Sequence, residues 1–357
     1  MNKINVAVIG ASGYVGQRFV SLLQNHPYFN LQKLIASERS DGLSFSEAIF
    51  NREVPGLNFD KAVLDMKIIS SKRIDEYTQD IDLVFCAVDM PKEEIIKLET
   101  SLAQRELVVV SNNSAMRKFN DVPMIIPEIN NKHLDIIEVQ KKRLGSKKGF
   151  VTCKPNCSIQ SYVPILSALI PYGLREISVA TYQAISGAGK TFKSWPEMNE
   201  NLIPFISGEE EKTEQEPLKI WGKISDKGII NNNEINISAH CFRVPVQEGH
   251  TAAVSFNMKN KLSKDDLLKI IKDFSDKSVC KGLPTAPENF IVYHDESDRP
   301  QVKLDCNSDK GMSIHFARLR EDNLFDWKFT GLSHNTLRGA AGGAVLTAEY
   351  LYKNSYL

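Results

Sequence analysis

The segment Pro155-Asn-Cys-Ser158 sets a cysteine between the end of a strand-like run and a stretch, Ser158 to Leu169, that can be helical, though Pro164 falls inside it. A cysteine at a helix N-terminus meets free backbone amides and the positive end of the helix dipole. Both favour the thiolate and pull its pKa below the free value of about 8.5. The same amides can hold an oxyanion. Cys157 is therefore the candidate nucleophile, with a buried inert thiol as the alternative; Cys153, in the preceding strand, reads as structural. His250 follows Gly249 where an alternating stretch begins, and an imidazole with an ordinary pKa near 6.5 suits acid–base work beside a thiol. Arg243, in His240-Cys-Phe-Arg243, can clamp a carboxylate through a two-pronged contact. His240, Cys241 and His250 suggest no fourth ligand, so no metal is expected.

The second chemistry-bearing element is Gly10-Ala-Ser-Gly-Tyr-Val-Gly16. It follows a short β-branched run and opens a helical pattern. A tight glycine turn with bare amides at a helix start suits a pyrophosphate, so Gly10, Ser12, Gly13, Tyr14, Val15 and Gly16 are candidate dinucleotide contacts. After the second expected strand the chain reads Ser37-Glu-Arg-Ser40. Glu38 would suit a ribose 2′-hydroxyl. Arg39 with the hydroxyls of Ser37 and Ser40 would suit a 2′-phosphate, because a guanidinium pairs with phosphate through two parallel bonds. The balance favours NADP. Ala184-Ile-Ser-Gly-Ala-Gly-Lys-Thr191 ends like a phosphate-binding loop but lacks its first glycine. Its Gly187 turn is read as lying near cofactor or substrate.

These residues need two units to position them. Ile4–Ile9, 31–36, 83–88 and 107–111 read as strands alternating with helical stretches, which implies βαβ units and a parallel sheet. The basic run 141–148 reads as a solvated loop. Beyond it, 177–183, 234–240, 251–258 and 312–319 alternate like half-buried strands. Ser263 and Asp266 mark a capped helix start before Leu267, Leu268, Ile270, Ile271 and Phe274. The acidic cluster 209–216 reads as solvated surface. The small-residue segment from Arg338 is expected to form a helix packed back on the first unit. The fold class is thus α/β: an N-terminal Rossmann-type domain with a parallel sheet, 1–155 plus 336–357, and an α+β domain with a mixed sheet, 156–335.

With 357 residues, two domains are the expectation. The 44 basic residues balance 44 acidic ones, which argues against a protein built to coat nucleic acid or an anionic membrane. The six cysteines include no CxxC pair, so neither a disulfide framework nor a closed zinc site is expected. The apolar start reads as a strand rather than a signal peptide, since Gly10 and Gly13 interrupt it. The longest apolar stretch, 162–174, is broken by Pro164 and Pro171, so no membrane span is expected. A cytoplasmic enzyme acting on a small molecule is the resulting expectation.

Taken together, the ordered motifs GASGYVGQ at 10–17, PNCS at 155–158, QAISGAG at 183–189, Glu216-x-x-Lys219, HCFRVPVQEGH at 240–250 and NTLRGAAGG at 335–343 resemble aspartate-semialdehyde dehydrogenases, more the archaeal and fungal branch than the enterobacterial one. The resemblance spans essentially the whole chain. It implies reversible NADP-dependent reductive dephosphorylation of L-aspartyl 4-phosphate to L-aspartate 4-semialdehyde through a cysteine thioester, in the biosynthesis of lysine, threonine, methionine and isoleucine. It implies Cys157 as nucleophile, His250 as acid–base and Gln183 as the residue that orients the intermediate. Arg243 would clamp the substrate carboxylate, Glu216 would meet its ammonium, and Lys219 and Arg117 would bind phosphate. Asn335 would contact the nicotinamide amide. A catalytic unit that also dimerises, giving a homodimer or homotetramer, follows from the same resemblance. N-acetyl-glutamyl-phosphate reductase and malonyl-CoA reductase share the scaffold. The former typically carries GCYPT where this chain has NCSIQ, and the latter is the nearer relative.

Overall fold

The structure, a computed structural model, describes residues 3–357. Its first sheet has six parallel strands in the order β3-β2-β1-β4-β5-β6. They are β1 Ile4–Ile9, β2 Phe29–Ala36, β3 Ile68–Ser70, β4 Leu83–Cys86, β5 Val108–Ser111 and β6 Phe150–Cys153. This is the doubly wound dinucleotide-binding order, in which ligands sit beyond the C-terminal strand ends where the order reverses. The β-branched, apolar runs of β1, β4 and β5 suit strands buried on both faces. One face packs Val6, Val8, Phe19, Phe29 and Phe85 with Ala344, Val345 and Ala348 of the helix Ala341–Lys353. The other packs Ala7, Ile9, Val84 and Val109 with Leu102 and Leu144. The last helix therefore returns to the first sheet, as its small residues suggested. Close approach requires them: a Cβ on Gly343 would lie 2.3 Å from Lys154 Cε.

The second sheet has the order β10-β7-β11-β14-β13-β12. Its strands are β7 Leu174–Gln183, β10 Asn236–Arg243, β11 His250–Met258, β12 Ile291–His294, β13 Ile314–Glu321 and β14 Trp327–Ser333; a small hairpin, β8 Lys223–Ser225 with β9 Gly228–Ile230, stands apart. It is mixed: β10 runs parallel to β7 and β12 to β13, while β11 is antiparallel to β7 and β14. Val179, Val254, Phe256, Phe316 and Phe329 face a core completed by Ile159, Tyr162 and Leu166 and by Leu267 and Ile271 of the helix Lys264–Asp276. Ser263 caps that helix by accepting the Asp266 N–H at 3.1 Å. The opposite face carries Ser178, Ala180, Tyr182, Phe242 and Ala253, which remain partly or fully exposed.

Three local expectations change. Residues 141–144 of the basic run form the last turn of the helix Ile137–Leu144, which stops at Gly145 in the left-handed region. Lysine and arginine suit that end because unpaired carbonyls and the negative dipole face them. The stretch after Cys157 is not one helix: a 3-10 turn, Ser158–Ser161, precedes a five-residue helix, Val163–Ser167, whose first turn holds Pro164. Proline is well placed there, where its missing N–H has no partner to lose. The acidic cluster is not all surface, since the helix Glu209–Ile220 buries Thr213, Glu216 and Lys219 along one side. No helix among the described residues is long and apolar enough to cross a membrane.

Candidate active site

Sheet register assembles one end of the site. Arg243 and Gln183 are paired at the last positions of β10 and β7, and Thr251 pairs with Tyr182, so His250 opens β11 beside them. The turn after β6 brings Cys157 to this cluster, with Sγ 3.4 Å from His250 Nε2. The C-terminal segment closes from the far side. A Cβ on Gly339 would stand 2.7 Å from Cys157 Cβ, so a larger residue there would displace the thiol.

The electrostatics run against a resting thiolate. Burial pushes the Cys157 thiol up to about 12, helped by the nearby Glu209 charge and opposed by Arg117 and Arg243. Burial and then Arg243 bring His250 down to about 3. Near pH 7 both groups are thus neutral in the unliganded chain. The expected lowering of the thiol pKa fails because only a four-residue 3-10 turn follows Cys157, leaving little aligned dipole to offset desolvation. His250 Nδ1 accepts the Ala184 backbone N–H at 3.0 Å. That bond places the neutral ring's proton on Nε2, facing the sulfur.

Around this pair lies a chain of acids and amides. Glu209 accepts from Asn156 Nδ2 at 2.8 Å and Gln183 Nε2 at 3.3 Å, and pairs with Lys212 at 2.8 Å. Glu216 accepts from Arg117 at 2.8 Å and from the Asn156 N–H at 2.6 Å. Arg117 Nε is buried without a partner. Lys219 has a task that its sequence position did not reveal. Its ammonium donates to the carbonyls of Arg117, Phe119 and Val122 at 2.6, 2.6 and 2.9 Å, and burial brings its pKa down to about 8. All three protons are engaged, so Lys219 anchors the segment bearing Arg117 instead of standing free for an anion. Arg243 donates to the Ala184 carbonyl at 2.6 Å.

A second cavity, of about 850 Å³, opens beyond the C-terminal ends of the first sheet. Gly10, Ser12, Gly13, Tyr14, Val15, Ser37, Arg39 and Gly187 line it, together with Glu38, Lys72 and Asn112. Gly16 lies behind the turn, where a Cβ would come 1.9 Å from the Gly10 carbonyl oxygen. Ser40, expected to help hold the 2′-phosphate, is buried and does not line the cavity. Glu38 pairs with Lys72 at 2.7 Å, and no acidic side chain among the described residues pairs with Arg39. Asn335 is engaged within the protein: Oδ1 accepts the Gly249 N–H at 2.8 Å, and Nδ2 donates to Ser186 Oγ at 2.7 Å. The cradle fits a dinucleotide, because glycine amides meet a helix start. Both amide atoms of Asn112 are also buried there without partners.

Residues 5–137 match the semialdehyde dehydrogenase NAD binding domain, and residues 164–338 match the semialdehyde dehydrogenase dimerisation domain. An aspartate-semialdehyde dehydrogenase of Archaeoglobus fulgidus is 40% identical over 99% of this chain and 100% of its own. The chain belongs to the aspartate-semialdehyde dehydrogenase family. The Aspergillus fumigatus relative is 35% identical over 99% of both chains. The Candida albicans family structure, solved with NADP, superposes with a TM-score of 0.88 at 33% identity, covering all of both chains. The structure of aspartate semialdehyde dehydrogenase II from Vibrio cholerae shares the fold at 22% identity, with a TM-score of 0.76 over 99% of each chain. The family's members are oxidoreductases, and this chain carries both of its domains.

Sequence reading missed two groups in this site. Glu209 lies seven positions before Glu216, two helical turns away on the same side of one helix. That spacing was the available signal. Asn156 in the PNCS motif reads as favouring the aspartyl substrate, and its link to both carboxylates emerges only in the fold.

Proposed function

We propose that the chain reduces L-aspartyl 4-phosphate to L-aspartate 4-semialdehyde with NADPH, reversibly, through a thioester on Cys157. The observation that carries this reading is the Cys157–His250 contact at 3.4 Å, set beside Arg243 and Gln183 in a chain with a full-length family match. Cys157 sulfur attacks the acyl carbon, the carbon–oxygen bond to phosphate breaks, and the thiol proton leaves with the phosphate, which Arg117 steadies. Gly10, Ser12, Gly13, Tyr14 and Val15 would hold the cofactor's pyrophosphate, and Ser37 and Arg39 its 2′-phosphate. Bound there, the cofactor supplies the hydride. His250 Nε2–H donates to the oxygen of the tetrahedral adduct. When the carbon–sulfur bond breaks, its electron pair returns to sulfur, the aldehyde leaves and solvent restores the thiol proton. Arg243 takes the substrate carboxylate, Glu216 with Glu209 the ammonium, and Gln183 orients the adduct.

Residues 1–155 with 336–357 serve as the cofactor unit and 156–335 as the catalytic unit. The exposed face of the second sheet, where Tyr182 and Phe242 stack at 5.6 Å, suits pairing of two copies in a homodimer. The family's place in lysine, threonine, methionine and isoleucine biosynthesis extends to this chain on the same reading. The test is phosphate-dependent NADPH formation from L-aspartate semialdehyde, beside malonate semialdehyde with CoA. Turnover with the first pair, abolished by Cys157→Ser while NADPH still binds, is the expected result. Activity confined to the CoA pair would move the enzyme to malonyl-CoA chemistry.

A further inference from the structure

Away from the Cys157 cluster, three metal-ligating side chains converge at the β12–β13 edge of the second sheet. His294 ends β12, His315 is the second residue of β13, and Asp305 ends the helical turn Val302–Asp305. His294 Nε2 faces His315 Nδ1 at 2.9 Å, and Asp305 Oδ1 lies 3.8 Å from His294 Nε2. One ligand atom from each lies within 4.8 Å of the others. Nothing in the proposed reaction uses these groups.

The two facing imidazole nitrogens have room for only one proton between them. An ion can replace that proton with little movement. Tetrahedral zinc with Zn–N bonds of about 2.0–2.1 Å sets its nitrogens about 3.3 Å apart. The surroundings resemble those that orient metal-bound ligands. His315 Nε2 is 2.5 Å from Ser308 Oγ, which fixes the ring through its other nitrogen. Asp305 Oδ2 accepts from Arg299 Nε at 2.8 Å and from the Gln301 N–H at 2.7 Å. The His294 side chain is 13% exposed, which leaves an approach for an ion and for water. Two imidazoles and one carboxylate suit Zn²⁺, Co²⁺ or Ni²⁺ better than Mg²⁺ or Ca²⁺, which prefer oxygen. One group competes: Arg299 Nη2 also binds Asp305 Oδ1.

We propose that His294, His315 and Asp305 bind one divalent first-row transition ion, with water completing its coordination and Arg299 retained on Asp305 Oδ2 alone. The site would fasten the segment that supports the catalytic strand. Val302 and Cys306 lie 3.1 and 3.0 Å from where a Cβ on Gly249 would stand, next to His250.

The experiment titrates Co²⁺ into tag-free, full-length Cys157→Ser protein. This change removes the one cysteine that is only partly buried, which with His250 would compete for the ion. The expected result is visible d–d absorption saturating at one ion per chain, displaced by Zn²⁺ but not by Mg²⁺. His294→Ala in that background abolishes the band. His315→Ala in the same background abolishes it as well. A missing band, or a band that survives His294→Ala or His315→Ala, would overturn the site.

Discussion

Raising the pH on the unliganded enzyme tests the protonation state assigned to Cys157. With its thiol pushed up to about 12 and a free thiol at about 8.5, the thiolate fraction at pH 7 falls roughly 3,000-fold below that of free cysteine. A more basic thiolate is also more nucleophilic. With a Brønsted slope of about 0.4–0.5, the same difference returns a factor of roughly 40. The net expectation is alkylation by iodoacetamide about 100-fold slower than for free cysteine at pH 7. The rate should rise nearly tenfold per pH unit up to pH 10. Loss of Cys157 thiol, followed by peptide mass spectrometry, measures it; the other five cysteines are buried. The slope decides the matter, because restricted access would lower every rate equally. Glu209→Gln removes the charge that adds most to the effect of burial. For each pH unit by which the thiol pKa falls, alkylation should quicken about threefold, from tenfold more thiolate and about threefold lower nucleophilicity. A plateau between pH 6 and 8 would refute the reasoning, since it would mean a thiolate–imidazolium pair. A nitrogen spectrum showing a proton on His250 Nδ1 would do the same, because that atom accepts from Ala184 N–H.

Arg39→Ala should weaken NADPH much more than NADH in direct binding, since Arg39 lines the cavity while Glu38 is held by Lys72; equal losses would remove Arg39 from the 2′-phosphate. Glu128→Gln should cost about 3–5 kcal/mol and lower the thermal midpoint by roughly 4–7 °C. It removes the charge and one of the two acceptors, at 2.6 and 2.9 Å, that face an arginine that is 1% exposed, Arg338. A calorimetric shift under 3 °C would contradict that account. Gly16→Ala should abolish NADPH binding, because its Cβ would meet the Gly10 carbonyl at 1.9 Å; retained micromolar binding in a fluorescence titration would show that the turn can yield.

What the sequence could reveal was set by how local the signal was. The glycine turn, the buried strands β1, β4 and β5 and the capped helix from Ser263 are decided by neighbours in sequence, and their periodicities carried them. The strand β3, three residues long, offers too little pattern to register. The basic run looked like a loop because charge density resembles solvent exposure, whereas a helix end also collects lysine and arginine. Cys157 shows the other limit. Its position after a turn was visible, but its protonation depends on burial and on Glu209, a residue distant in sequence. Lys219 is similar: the motif places a cation there, while only the fold reveals three carbonyls around it.

Glu248 carries the same argument to the link between the two units. In sequence it is one acid in Val-Gln-Glu-Gly-His. In the structure its carboxylate accepts from Tyr14 Oη at 2.6 Å and Arg18 at 3.0 Å, on the helix that the glycine turn opens. It also accepts from Ser186 Oγ at 2.9 Å and Thr336 Oγ1 at 3.1 Å. Ser186 in turn holds Asn335, and Asn335 holds Gly249, next to His250. One carboxylate thus ties the cofactor cradle to the strand that presents His250. The donors come from three separated stretches of chain, so neither charge pattern nor spacing could have marked it. A charged acceptor suits this position because each of its hydrogen bonds is stronger than a neutral one would be. A short hydrogen-bonded path thus joins the helix that the glycine turn opens to the residue before His250.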